Sequence, residues 1–457
     1  MKICDRIFGI MIQKDYFSYC NIQRNIASSI AKMEWKSGVY KMIEWLILFF
    51  SFTTLYLGIF WLHVVSLKEK EETKTIPTFP FVSLIVPARN EEKGLFKTVH
   101  SLTALDYPKD KLEIIIVDHE SKDTTSEIAR QLIAQHPHSR IYLIFKKHLP
   151  GELKADSFNE GLRHAHGEFV GCVDADTVVM RTCLQEMVPF FVDDSVGAVI
   201  STIKVHQPRN LFERIQHLEY IFASFTRGLM SKIDTLHVTP GALSLYRKKL
   251  FDQYGGFDAQ NITEDLEMAM RLRYHGYKIK LARNSITYTK APDTFRSHWN
   301  QRVRWFRGFI YNNYKYRHML FKKKYDLIGT FQYPVNILSM ATVIIMFLLG
   351  GYELFRRVFS EVNKFNAIGM EYFSIDFTQL PSLKHIILQM NILLFFPVFI
   401  GLLLGLLFYH LAHKSLKEKW KYPFALVSYL TIYPILRSFH WMVAFYKETF
   451  RTKNKWK

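Results

Sequence analysis

Between Phe81 and Asp174 the chain alternates short, continuous apolar runs with polar stretches of helical pattern, and few folds accommodate that alternation. The apolar runs are FVSLIVPA from Phe81, LEIIIVD ending at Asp118, IYLIF from Ile141 and EFVGCVD ending at Asp174. Each is strand-length and apolar throughout, as strands covered on both faces are. Helical pattern fills the gaps, at Lys93 to Leu105, Thr124 to Gln135 and Lys154 to Ala165. The order predicts an α/β domain with a mainly parallel central sheet over residues 81–294. Ligands of such sheets sit at the carboxyl ends of the strands. Further on, GAVISTI reads as a strand, Asn210 to Met230 as a long amphipathic helix, and HVTPGALSLYRKKL as a loop and strand. Ile262 to Gly276 reads as a helix, with Thr263 as its N-cap and acidic residues in the first turn.

The strand ends carry the chemistry. GCVDADTVV places Asp174 and Asp176 one residue apart, and strand alternation sends both side chains to one side. Two carboxylates there repel unless a cation lies between them, and hard oxygen ligands suit Mg or Mn. Taken alone, the pair is also compatible with an acidic turn. In PARNEE, Pro87 is expected to stop the first strand, so that main chain at Pro87 and Ala88, with Glu91, can meet a nucleotide; a plain polar turn is the alternative. Asp118 ends the second strand and can accept from a base N–H, while Asp123 suits a helix start. Lys154 precedes the Asp174 strand and offers charge to a diphosphate. In TED, Glu264 or Asp265 can serve as a general base, or simply compensate the helix dipole. In QRVRW, Gln301, Arg304 and Trp305 share a helical face, where Arg can hold a diphosphate and Trp can stack on a sugar; a membrane-interface belt would look similar.

Long apolar segments flank this region. Residues 42–66 are apolar on all faces and long enough for a transmembrane helix, which needs about 20 residues. Residues 1–41 form a basic arm that reads as an interfacial helix, a disordered arm or an over-long start, with Met33 and Met42 as alternative beginnings. A charged linker, Lys68 to Lys74, follows the first apolar segment. Residues 295–325 mix Trp, Phe, Arg and Lys as interfacial amphipathic helices do. Residues 326–446 hold about three apolar segments: Leu327 to Leu349, His385 to Tyr409, and Pro423 to Ala444. Pro434, Arg437 and His440 interrupt the last, which reads as re-entrant or split; that would return the basic tail, residues 447–457, to the cytosol. The net charge of +19 suits anionic membrane surfaces and phosphorylated substrates, since no nucleic-acid module is visible. The 4 cysteines form no CxxC pair, so neither a zinc site nor a disulfide framework is indicated.

Taken together, PARNEE, Asp118, LKADSFNEG, DAD, TED and QRVRW, in this order, resemble the membrane-embedded family 2 glycosyltransferases with a GT-A fold. That group includes cellulose, chitin, hyaluronan and poly-N-acetylglucosamine synthases and ceramide glucosyltransferases. The resemblance covers roughly Phe81 to Arg307 and the flanking apolar helices. It implies that Glu91 and Asp118 hold the uridine of a UDP-sugar, that Lys154 and Asp174 contact the nucleotide, and that Asp176 binds Mg or Mn. It implies Asp265 as the base, with Gln301, Arg304 and Trp305 clamping the diphosphate and flooring the acceptor site. His119 stands where the family often has a second Asp. The expectation is a metal-dependent, inverting, multi-pass membrane enzyme with a cytoplasmic catalytic domain. It would extend and export a polysaccharide, or glycosylate a membrane lipid once; a non-catalytic nucleotide-sugar-binding scaffold is the reading from another class.

Overall fold

The structure is a computed structural model that describes residues 41–67, 78–370 and 392–450. The basic arm up to residue 40, the charged linker from Lys68, residues 385–391 of the second C-terminal apolar segment and residues 451–457 of the tail lie outside the described residues. The chain divides into two compact units. One is Trp61–Phe347 with Leu406–Lys457; the other is Met1–Phe60 with Leu348–Gly405.

An eight-stranded sheet organises the larger unit, in the order β3-β2-β1-β4-β7-β6-β8-β5. Its strands are β1 (Val82–Ala88), β2 (Leu112–Asp118), β3 (Arg140–Phe145), β4 (Phe169–Cys172), β5 (Val178–Val179), β6 (Val196–Val205), β7 (Ser244–Arg247) and β8 (Lys278–Thr289). β1, β2, β3 and β4 pair in parallel, as do β6 and β8, whereas β7 runs antiparallel between β4 and β6. This is the mixed, mainly parallel α/β architecture that the alternating sequence predicts. Every residue of β1 and β2 is buried, because helices cover both faces of that half of the sheet. One core lies under α2 (Leu95–Thr103) and α3 (Thr125–Gln135), and holds Leu84, Val86, Val99, Ile114 and Leu132. The other lies under α4 (Lys154–Arg163) and holds Ile85, Ile115, Val117 and Phe158.

Two sequence expectations at the strand ends need correction. Pro87 does not stop β1, which runs on to Ala88 with Pro87 opposite Val117 and Ala88 opposite Asp118. Pairing with β4 ends at Ile85, so the missing Pro87 N–H falls where one flank of β1 is already open. Asp174 and Asp176 do not sit on a strand either. β4 ends at Cys172, and the DAD segment is a turn closed by Thr177 N–H donating to Asp174 O (3.0 Å).

Among and after the later strands come α5 (Cys183–Met187), α6 (Leu211–Lys232), α7 (Lys248–Tyr254), α8 (Glu264–Tyr274) and, beyond β8, α9 (Phe295–Lys315). α6 starts at Asn210, whose side chain accepts from Glu213 N–H while Glu213 accepts from Asn210 N–H. α9 carries QRVRW and packs against α8 on one side. On the other it meets α12 (Pro423–Thr449), where Phe306 stacks on Trp441 with ring centroids 4.4 Å apart. α12 passes through Pro434 as one helix, so the expected split does not occur.

Two helices among the described residues are long and apolar enough to cross a membrane. They are α1 (Lys41–Ser66) and the segment Ile328–Ala367, most of which is α10 (Tyr333–Ile368), and little of either apolar stretch is buried. α11 (Ile392–Ser415) contains a shorter apolar run, Phe399–Ser415.

Candidate active site

Several loops and helices meet at a cavity of about 600 Å³ at the carboxyl edge of β1 and β4. The DAD turn forms one wall. Asp174 N–H donates to Gly241 O (3.0 Å), and Thr98 Oγ1 donates to Ala175 O (2.7 Å), which pins the turn between α2 and the loop before β7. Gly241 lies close against the Lys154–Asp174 pair: a Cβ there would lie 2.8 Å from Asp174 Oδ1 and 2.9 Å from Lys154 Nζ, so that pair would have to shift. Lys154, at the start of α4, forms an ion pair with Asp174 and lies 4.0 Å from Glu264 Oε1. It therefore links the DAD and TED motifs.

The TED turn is clamped from behind by α9. Asn261 Nδ2 donates to Asn312 Oδ1 (2.8 Å), Asn312 Nδ2 donates to Thr263 Oγ1 (3.0 Å), and Arg304 Nη1 donates to Ile262 O (3.4 Å). Thr263 precedes α8 but its hydroxyl makes no cap bond to the helix, contrary to the sequence expectation. The hydroxyl is turned instead into this Asn261–Asn312 network. Gly308 is pressed so close to Thr263 that a Cβ there would fall 2.0 Å from Thr263 Oγ1. Asp265 Oδ1 accepts from Leu266 N–H (2.7 Å), and Thr239 Oγ1 holds the Asp265 carbonyl (2.6 Å).

Of the residues singled out in the sequence, Pro87, Glu91, Lys154, Asp174, Asp176, Glu264, Asp265, Gln301, Arg304 and Trp305 all line this cavity. Ala88 and Asp118 do not. Both are buried beside it, with Ala88 O accepting from His119 N–H (2.9 Å). The Asp118 carboxylate takes Ser121 N–H (3.0 Å) and the Ser126 hydroxyl, which organises the turn into α3. Asp123 is not the N-cap of α3, which is Thr124; it accepts from Thr125 N–H and, across to the loop after β1, from Glu92 N–H. The sequence did not single out Tyr220 and Arg227 of α6, Gly241, Thr289 of β8, or Asn336, Arg437 and Trp441 of the C-terminal helices. Only the Thr239-Pro240-Gly241 turn carried a local signal.

The electrostatics divide the cavity. Burial raises the Glu91 carboxyl to about 7, with Asp176 and Asp174 adding repulsion. Burial and then Asp174 raise Asp176 to about 6. A cluster of oxygens that resist ionising together is the donor set a hard divalent cation neutralises, so the residues present fit Mg or Mn. Burial also raises Glu264 to about 7, against the pull of Lys154 and with the push of Asp265; Asp265 is raised as well, first by burial. Burial alone would lower the Lys154 ammonium, but Asp174 and Glu264 outweigh it and hold it above its ordinary value. Gln301 Oε1 is buried without a hydrogen-bond partner among the described residues. The Arg302 guanidinium lies 4.3 Å from the centre of the Trp305 ring, and the Tyr220 ring is near-parallel to it at 6.5 Å. Arg302 is itself paired to Glu219, which also accepts from Tyr433 Oη (3.0 Å). The far end of the cavity is apolar, formed by Phe306, Phe309, Met340, Val343 and Trp441.

A model of the glycosyltransferase-like family 2 matches residues 79–308, from β1 into α9. The beta-monoglucosyldiacylglycerol synthase of Synechocystis sp. is 30% identical over 265 residues, which is 56% of this chain and 55% of the relative. A poly-beta-1,6-N-acetyl-D-glucosamine synthase of Staphylococcus epidermidis is 27% identical over 273 residues, 57% of this chain and 64% of the relative. The matches thus span less than two thirds of either relative's length. Among solved structures, a mannosyltransferase from Pyrobaculum calidifontis in complex with GDP-Man and Mn2+ has the same fold. It aligns with a TM-score of 0.60 over 89% of this chain and 96% of its own, at 21% identity.

Proposed function

Because the chain belongs to the family 2 glycosyltransferases, we propose that this cavity transfers a sugar from a nucleotide-sugar, a UDP-sugar by the resemblance of its motifs, to an acceptor hydroxyl with inversion. The observation that carries the reading is the convergence of DAD, TED and QRVRW residues on one cavity, with Lys154 bridging Asp174 and Glu264. Asp265 takes the proton from the acceptor hydroxyl. Its neighbour Glu264 and the ammonium of Lys154 set the proton affinity of that corner. Asp265 Oδ1 is already held by Leu266 N–H, which fixes the carboxylate's orientation before the acceptor arrives. No second carboxylate is assigned as a nucleophile, so a single displacement at the anomeric carbon is the simplest course, and it inverts. Arg304 and Gln301 hold the departing diphosphate, and Trp305 offers its face to the acceptor sugar. A divalent cation held by Asp176, with Asp174 and Glu91 around it, would neutralise charge on that diphosphate.

The acceptor is a polysaccharide growing at the membrane, coupled to its export, on the strength of the QRVRW motif. A second reading, a membrane lipid acceptor glycosylated once, draws support from the apolar end of the cavity at Phe306, Phe309, Met340, Val343 and Trp441. The chain would be an integral, multi-pass membrane protein with its catalytic domain in the cytoplasm. Membranes containing the protein, incubated with radiolabelled UDP- and GDP-sugars and Mn2+ or Mg2+, test all of this. Label that remains at a chromatographic origin indicates polymer, and label that moves with organic solvent indicates glycolipid. Absence of both products and of cation-dependent donor breakdown with every common sugar nucleotide would overturn the enzymatic reading in favour of a binding scaffold.

A further inference from the structure

We propose that His119, His148 and Glu152 form a second metal site, for a zinc-type transition-metal ion, distinct from the all-oxygen Asp174–Asp176 corner. The three side chains come from two loops at the carboxyl edge of the sheet. His119 follows Asp118 at the end of β2, and His148 and Glu152 lie in the loop between β3 and α4. One donor atom from each converges: His119 Nε2 is 3.0 Å from Glu152 Oε2 and 3.1 Å from His148 Nδ1, and all three lie within 4.8 Å of one another. Donors in a tetrahedral zinc sphere, with bonds of about 2.0–2.1 Å, stand about 3.3 Å apart. Two of the three separations are thus near those of a formed site.

The hydrogen bonds available within the cluster share a single hydrogen at His119 Nε2. A neutral imidazole nitrogen presents either a hydrogen or a lone pair. With a hydrogen, Nε2 of His119 serves the carboxylate and meets His148 Nδ1 on the same side. With a lone pair, it accepts from His148 but faces a carboxylate oxygen at 3.0 Å. A cation at the point of convergence satisfies all three atoms at once. The surroundings already have the form of an outer shell around metal ligands. His119 Nδ1 is 2.8 Å from Ser157 Oγ, which leaves Nε2 facing the cluster. Leu149 N–H donates to Glu152 Oε2 (2.8 Å), and Lys146 binds the other oxygen, Oε1, so its ammonium does not occupy the metal-facing position. The main-chain N–H of His148 donates to Glu120 Oε2 (2.9 Å), which holds the loop rather than the ring. Two imidazoles and one carboxylate favour zinc, cobalt or nickel over Mg, which prefers oxygen alone. The fourth position is left for water. An ion here ties the loop immediately before Lys154 to the end of β2, and so fixes a cavity residue from outside the cavity.

Zinc is the probe. The full-length protein, purified in detergent without chelators, is supplied with zinc, passed through gel filtration and assayed for metal by mass spectrometry. We expect one zinc per chain in the wild type and in Asp176→Asn, and its loss in His148→Ala and Glu152→Gln. Cobalt in place of zinc should give visible absorption of four-coordinate intensity, absent from the same two variants. Glu152→Gln preserves side-chain size, and a cooperative melting transition establishes that it is folded. The proposal is overturned if the wild type keeps no more zinc than His148→Ala, if folded Glu152→Gln keeps it fully, or if Asp176→Asn loses it. Metal content is read without turnover, so failure of the transferase reading leaves this test intact.

Discussion

At the scale of single residues, burial holds the Glu91, Asp176, Glu264 and Asp265 carboxyls of the cavity above their ordinary values, with Lys154 pulling the other way. Replacing Asp265 by Asn should remove transfer, by a factor of about 10² to 10⁴ for loss of a general base, while UDP-sugar binding persists. Unchanged turnover in Asp265→Asn, measured with the radiolabelled donor, would remove Asp265 from its role. Glu264 gives a pH signature. Its folded value of about 7 lies above its ordinary 4.5, chiefly through burial. Its contribution to stability is therefore fully present below pH 4.5 and is lost as the pH rises through about 7. Glu264→Gln should flatten the dependence of melting temperature on pH across that window; an unchanged slope would count against a buried, proton-holding Glu264. Much of this corner was legible in the sequence, because Asp174, Asp176, Glu264, Asp265 and Arg304 stand in short motifs whose chemistry is recognisable without coordinates. Asp118 shows the limit. A strand-end position does not disclose that the carboxylate also accepts from Ser121 N–H and the Ser126 hydroxyl. Gly241 was opaque for another reason: the side chains it lies against, Asp174 and Lys154, are both distant in sequence.

At the scale of elements, α9 and the turn before α8 are fitted to one another. A Cβ at position 308 would meet both Thr263 Oγ1 and Thr263 Cγ2, at 2.0 and 2.4 Å. Gly308→Ala should therefore destabilise the fold by about 1–3 kcal/mol, the usual cost of overpacking, and displace TED relative to Arg304. A melting curve and the apparent affinity for donor would show it, and a Gly308→Ala protein with wild-type behaviour in both would mean that the contact yields easily. The helix and strand order was readable because periodicity reports burial directly. What periodicity could not reveal was how elements cap and cross. Thr263 has the residue type of an N-cap, but the competing amides of Asn261 and Asn312 draw its hydroxyl elsewhere. Pro434 has the residue type of a helix breaker, yet α12 continues through it while lying against α9, where the Phe306–Trp441 stack is one of the contacts.

At the scale of the whole molecule, α1 and α10 carry long apolar stretches that the protein itself leaves largely uncovered. The protein should accordingly sediment with membranes through alkaline carbonate and be released only by detergent; release by carbonate alone would argue for peripheral attachment. The family-matched stretch ends at residue 308, but the cavity does not. Asn336, Ser339, Met340 and Val343 of α10, and Arg437 and Trp441 of α12, complete its wall. A nucleotide-sugar is an activated ester that water also attacks, and excluding water from such a site suppresses that side reaction. On the function proposed above, the C-terminal helices would therefore shield the activated sugar from water. Opening the wall with Trp441→Ala should turn part of the transferase into a wasteful hydrolase, visible as free sugar released in excess over product.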